Sequence, residues 1–469
     1  MFPKTNIFKL SIFSAVLLFS FLFFPAISYG ADRYWVGAGT GATANWNTTA
    51  SWSTTSGGAS GASVPGASDA AIFDGGNSMV GGVTVDATVS VVSITITSGY
   101  TGGGANDGEI NTGAYTITTS GALAMAAGKI TRASGSLTIT ANSINNTAGS
   151  ITTTTSGNVT INSTGTVGSF TLYTVTSAGI INIGNTAAPS AVTINSTVSS
   201  ADTISIYSNS DITQNAAITS NSGANYVYFY PDADNSGTAT FTKTSGTITA
   251  TGTSFYFPSS ATTAFTLAGI DASAGTTNVI DVGVATATSP ASVSITGVVT
   301  SNSNIIIRSL GNITQNAHID ANSGATGVYF YPDIDNSGTA TFTRTSGTIT
   351  ADSTYFYFPL SATTAFTLAG VDASLGTTNF VVIGSATLAP ASVNITGAIV
   401  SNSEVQIQSM GNITQNADIT ANSGASNVYF YPDRDNSGTA TFTRTSGTIT
   451  AGSTYFDFPA SATTAFTLA

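Results

Sequence analysis

The segments NVIDV (278–282), NIIIR (304–308), GVYFY (327–331), TYFYF (354–358) and NFVVI (379–383) decide the fold. They open 23 to 27 residues apart, and each of the first four leads into a second half of one kind: SVSITGVVTS, NITQNAHIDA, TFTRTSGTITA and AFTLAGVDAS. Apolar and polar residues alternate at period two, and Gly, Asn, Ser and Asp break the runs at corners. A coil of about 25 residues cannot bury its inner face alone, whereas stacked coils form one continuous core. The pattern predicts an all-β chain, a right-handed parallel β-helix (solenoid).

Four such coils make a longer unit. Phe265–Ala365 recurs as Phe366–Ala465, and a shorter relative spans Phe170–Ala264. Gln214, Gln315 and Gln415 hold one place in ITQNA; Pro231, Pro332 and Pro432 hold one in VYFYPD. Upstream, coils open at Tyr115, Ser136, Asn158, Ile180 and Thr203. About fifteen coils at ~4.8 Å each predict a rod on the order of 70 Å long. A string of immunoglobulin-like sandwiches has the right unit size. It fits worse, because the four quarters resemble one another and no linker separates the units.

The ends differ from the middle. Lys4 and Lys9, an apolar run from Ile12 to Phe24, and Ser28-Tyr29-Gly30 read as a secretory signal peptide over 1–30. Residues 31–110 hold all three tryptophans, Trp35, Trp46 and Trp52. They are expected to cap the first raw edge of the solenoid, with an aromatic sugar-binding platform as the alternative. Short coils over 111–169 and units over 170–264, 265–365 and 366–465 follow. Residues 466–469 begin a fourth unit, which predicts a longer parent protein.

Composition narrows the function. The chain has no cysteine, so burial and repetition must supply its stability. Net charge is −12, and −14 once Lys4 and Lys9 leave with the signal peptide. An acidic, lysine-poor surface is a poor partner for nucleic acid or anionic lipid. No stretch after the leader is apolar enough for a helical membrane span.

Little in the sequence points to chemistry. The two glutamates, Glu109 and Glu404, lie far apart, and His318 is the only histidine, with Ala217 and Asp418 at its equivalents. No catalytic, cofactor-binding or metal-ligating residue is expected. One polar constellation repeats: PDADNSG (231–237), PDIDNSG (332–338) and PDRDNSG (432–438). It opens like a calcium loop, but Lys243, Arg344 and Arg444 stand where the closing Glu belongs. It is read as a corner turn, with Asp333 and His318 as exposed corner residues. In YVYFYP, alternation puts Val227 and Phe229 on one face and Tyr228 and Tyr230 on the other. Those tyrosines read as a stacked ladder, or else as an exposed ribbon for a sugar or protein. In NIIIR, Ile306 opposes Ile305 and Ile307, and the sequence leaves open which side is inside.

The run SNIIIRSLGNITQNAHIDANSG (303–324) resembles the coil repeats of filamentous-haemagglutinin-type and autotransporter passenger adhesins, a likeness of repeat style over 115–469. The block ANWNTTASWSTTSGGASGASVPGASDAAIFDGG (44–76) is similar to N-terminal segments of large bacterial surface proteins with β-strand repeats. The resemblance implies adhesion at the bacterial cell surface and carries over no functional residue. The Asn-Pro-Asn signatures of two-partner secretion are absent. The expectation is therefore a secreted or surface-exposed adhesin or structural stalk, not an enzyme, whose partner is a host or environmental surface, glycan or protein. The alternatives are a carbohydrate-active β-helix enzyme and an ice- or crystal-surface binder. TITIT and TATFT suggest the last, although along the sequence their phases wander and aromatics intrude.

Overall fold

The computed structural model describes residues 30–258, 262–275, 277–360, 362–376, 378–459 and 465–468. Except for Gly30, the expected leader lies outside the described residues. The rest is a β-solenoid of about 15 turns. Its only helices among the described residues are single 3-10 turns.

Each turn has three sides, most with one strand to a side, while long strands such as Ala264–Ala272 and Ser292–Ser301 bend over the second and third. On the first side Ile204–Tyr207 pairs in parallel with Tyr226–Tyr230, which pairs with Gly252–Phe255, then Val279–Val282, then Ile305–Arg308. On the second side Ile212–Gln214 is followed by Thr238–Lys243, Ala264–Ala272 and Ser292–Ser301. The third side runs from Lys129–Arg132 through Ser150–Thr153, Thr174–Ser177 and Val198–Ser200 to Ile218–Ser220. The five openings that decided the fold lie on consecutive strands of the first side.

Parallel, in-register stacking sets every inward residue on its equivalent one turn away. Ile204 lies on Val227, and Ile280, Ile305 and Val328 succeed one another in the same column. All are completely buried. Phenylalanines form a ladder inside: Phe229 stacks on Phe255 at 5.1 Å, and Phe330 on Phe356 at 5.2 Å. Such ring pairs add about 0.5–1.5 kcal/mol beyond their burial. Ile305 and Ile307 point inward and Ile306 outward, which settles the phase of NIIIR.

Polar residues inside this column are satisfied across turns. Thr253 is fully buried and donates to Asn278 Oδ1 at 2.9 Å, while Asn278 Nδ2 donates to the Ile248 carbonyl at 2.7 Å. Thr354 and Asn379 repeat the arrangement. Corners use glycine where the backbone demands it. Gly347 has φ +82°, and a Cβ there would meet the Ala317 carbonyl oxygen at 2.2 Å. Gly246 and Gly447 repeat this close approach.

The sequence contrast at residue 110 is not a break in the stack. Ala70–Phe73 pairs in parallel with Ser93–Ile96, which pairs with Ile117–Met125. One antiparallel pair, Asp32–Trp35 with Trp52–Ser53, folds over this first end. There Trp35, Trp46 and Trp52 pack around Phe73, with ring centroids between 4.9 and 5.8 Å apart. The indole N–H groups of Trp52 and Trp35 donate to the carbonyls of Trp46 and Gly81. All three tryptophans are buried, so their rings offer no open platform to a sugar.

Candidate functional site

The repeated PDxDNSG segment forms the corner between first and second sides. Asp232 and Asp333 take left-handed φ values of +56°. That conformation costs most residues but is one Asp tolerates. It turns each carboxylate back over its own loop. Asp333 accepts from Ser337 N–H at 2.7 Å, Ser337 Oγ at 2.6 Å and Gly338 N–H at 3.1 Å, and also from the Thr364 hydroxyl of the next turn. Asp232 repeats this set with Ser236, Gly237 and Thr263. The expectation of an exposed Asp333 is therefore corrected: its side chain is wholly buried. Sequence reasoning saw the turn but missed that the carboxylate has to satisfy the orphan N–H groups of its own loop. The Ser and Gly four and five residues later were the available signal.

The cations that follow do not face this corner. Lys243 lies 3.5 Å from Asp271, and Arg344 lies 2.9 Å from Asp372 while its Nε donates to the Gly347 carbonyl. Glu109 pairs with Lys129 at 3.0 Å. Among the described residues no three His, Cys, Asp or Glu side chains come together to hold a metal. His318 is exposed, and its Nδ1 lies 2.7 Å from the Thr348 hydroxyl one turn on. Asp418 takes the same role toward Thr448, whose bonds hold its carboxyl below the usual range.

Two long surfaces remain. The first side carries tyrosines outward, because phenylalanine fills the inward positions of the same strands. Tyr230 lies between Tyr207 and Tyr256, at 4.0 and 5.2 Å, with nearly parallel rings. In the second unit Tyr329 stacks on Tyr355 at 5.2 Å and Tyr355 beside Tyr357 at 5.2 Å; in the third, Tyr429 stacks on Tyr455 at 5.0 Å. Both expected features are present together, a ladder that is also a ribbon. Burial raises the phenols of Tyr228 and Tyr329, and that of Tyr357 to about 12, with neighbouring phenols adding to each shift. Between the tyrosine turns, Arg308 is ion-paired to Asp281 and lies over the Tyr331 ring at 5.1 Å. Burial raises the Asp281 carboxyl, and the guanidinium opposes it.

The second side carries threonines outward in columns. Thr171, Thr193, Thr213 and Thr242 are in register. Thr240, Thr266, Ser294, Thr314 and Thr343 form the next column, displaced by two residues along the strand. The phases that wander along the sequence line up in space, and the phenylalanines of the TATFT runs, Phe241, Phe342 and Phe442, point into the interior.

Concavities flank these surfaces, one of about 300 Å³ between Tyr226 and Asp281. Tyr207, Tyr230, Pro231, Tyr256 and Pro258 border a pocket of about 220 Å³. A groove of about 630 Å³ opens over Met410, Gly411 and Asn412, where one short corner lies between turns with longer ones.

No family model, curated protein or solved structure matches the chain. Among the described residues no helix is long and apolar enough to cross a membrane.

Proposed function

We propose that this chain is an exported, non-enzymatic repeat protein of the bacterial surface that serves as an adhesin or structural stalk. One observation carries the reading: the four-turn unit recurs on an unbroken core, and its repeated corner aspartates and the cations that follow them bond to the next turn. Asp232 and Asp333 bond forward to Thr263 and Thr364, and Lys243 and Arg344 bond forward to Asp271 and Asp372. An enzyme needs polar groups held ready for a substrate, whereas a stalk needs length, and here repetition supplies length.

The test is to excise one unit, residues 265–365, which joins equivalent positions of the strands Ala264–Ala272 and Ala365–Ala373. Small-angle scattering should show a folded rod shortened by four turns, about 19 Å. Cells displaying the shorter chain should attach less well to the surfaces that the parent chain binds. Attachment that ignores length, together with turnover of a polysaccharide by the purified chain, would sink the reading in favour of the enzyme.

The threonine columns favour a second reading, binding to ice or another ordered crystal surface. Inhibition of ice recrystallisation by the purified chain, abolished by Thr266→Tyr with Thr314→Tyr, would establish it.

A further inference from the structure

The first side has a relief that repeats with the unit. From Tyr226 onward, pairs of turns bear outward tyrosines, at 226–256, 329–357 and 429–455, and Tyr207 extends the first group by one turn. The two turns between bear smaller or retracted groups. In the first interval these are Asp281, Gly283 and Ile306, with Arg308 drawn onto Asp281; in the second they are Val382, Gly384 and Gln406, with the half-buried Phe380 at the start of its strand. Ridge and trough are each two turns wide, about 10 Å, and the period is about 19 Å. A surface of this kind is complementary to itself after a shift of half a period.

We infer that a second copy of this chain lies along the first side, with the tyrosine ridges of each copy seated in the troughs of the other.

Three further observations support that occupant. Of the ten turns from Tyr226–Tyr230 to Thr454–Phe456, eight overlap after a shift of half a period, a strip of about 38 Å by 16 Å, or roughly 610 Å² per copy, at the lower end of one partner's share of a standard interface. Tyrosine is the residue such interfaces favour at their centres. Charge is only partly met within one copy: Asp281 is neutralised by Arg308, whereas Asp352, Glu404 and Asp457 also lie near the outward tyrosines, so the pairing should tighten as salt is raised. A glycan fits less well. Tyr207 and Tyr230 are parallel to within 2°, and Tyr329 and Tyr355 to within 9°, so ring faces are spent on one another and mainly edges and hydroxyls face outward. This pairing does not rest on the stalk reading, since a monomeric rod and a paired rod reach equally far.

Sedimentation velocity of the full chain over a concentration series tests it. The unaltered chain should form a dimer. Tyr228→Asp, Tyr329→Asp and Tyr429→Asp together should weaken it at least about 100-fold. The same added charge on the second side, as Thr266→Asp, Thr314→Asp and Thr414→Asp, should leave it within about threefold. A Tyr→Ser set at the same three positions separates charge from contact and should also weaken the dimer, with melting curves showing that the fold persists. An unaltered chain that stays monomeric at about 100 µM overturns the inference. So does a dimer that survives both tyrosine sets.

Discussion

The carboxylate of Asp333 accepts the hydroxyl proton of Thr364, a residue of the next turn, while also holding the N–H groups of Ser337 and Gly338 in its own loop. Asp335, two residues on, is exposed. Asp333→Ala therefore leaves the buried Thr364 hydroxyl and three partly buried donors of the loop without their acceptor and should cost at least about 2 kcal/mol. Asp335→Ala should stay within about 0.5 kcal/mol. Denaturant unfolding measures both, and equal losses would show that the buried carboxylate is not the brace described here.

The same bonds bear on metal dependence. Asp333 already accepts from N–H and O–H groups on both oxygens, so a calcium ion would have to displace them. Adding EDTA should leave the melting temperature where it is. A fall of many degrees, restored by calcium, would make the corner a metal site.

In NIIIR the side chains of Ile305 and Ile307 are buried and that of Ile306 is partly exposed. Ile305→Ala and Ile307→Ala should each leave a cavity costing about 2–5 kcal/mol. Ile306→Ala should cost clearly less, about 1 kcal/mol. Three equal losses in denaturant titrations would contradict the strand phase.

The tyrosine face gives the molecule an alkaline limit. Burial raises the phenols of Tyr100, Tyr228, Tyr230 and Tyr357 above their unfolded value of 10.0. The folded chain therefore holds phenolic protons that the unfolded chain has released, so stability declines as pH rises. The contribution is complete below pH 10 and disappears as pH climbs toward the folded values, about 12 for Tyr357. Unfolding midpoints from pH 8 upward should be level at first and then fall beyond about pH 10, alongside phenolate absorbance that develops late. Phenols that all titrate near 10 with unchanged midpoints would contradict this.

Gly347 is left-handed at φ +82° with a carbonyl in the path of any Cβ, whereas a Cβ at Gly103 would meet nothing within 4 Å. Gly347→Ala should therefore cost about 2 kcal/mol or more, from left-handed strain and the displaced turn together. Gly103→Ala should be close to neutral. Thermal melts of the two variants compare them directly.

Much of this molecule could be read from the chain alone, for a reason particular to repeats. In a parallel solenoid each residue is neighboured by its own equivalent one coil away, so spacing along the sequence is also contact in space. The starts at Asn278, Asn304, Gly327, Thr354 and Asn379 thus marked the strands of the first side to within a residue or two. The Gly and Asn corners marked the bends, and the split of Val227 and Phe229 from Tyr228 and Tyr230 followed from the pleat. What the sequence left open depends on which way a coil closes. Alternation separates Ile306 from its neighbours but carries no sign for inside and outside. The sign comes from the closed turn, which leaves room only for Ile305 and Ile307. Corner residues are a further case. Asp333 is polar and lies in a turn, and only the turn's folding back on itself buries its carboxylate as the acceptor for the N–H groups of its own loop. The threonine columns are another. Their phase wanders because corner lengths vary between coils, and the ladder restores it, since backbone hydrogen bonds align strands whatever the length of the loop before them.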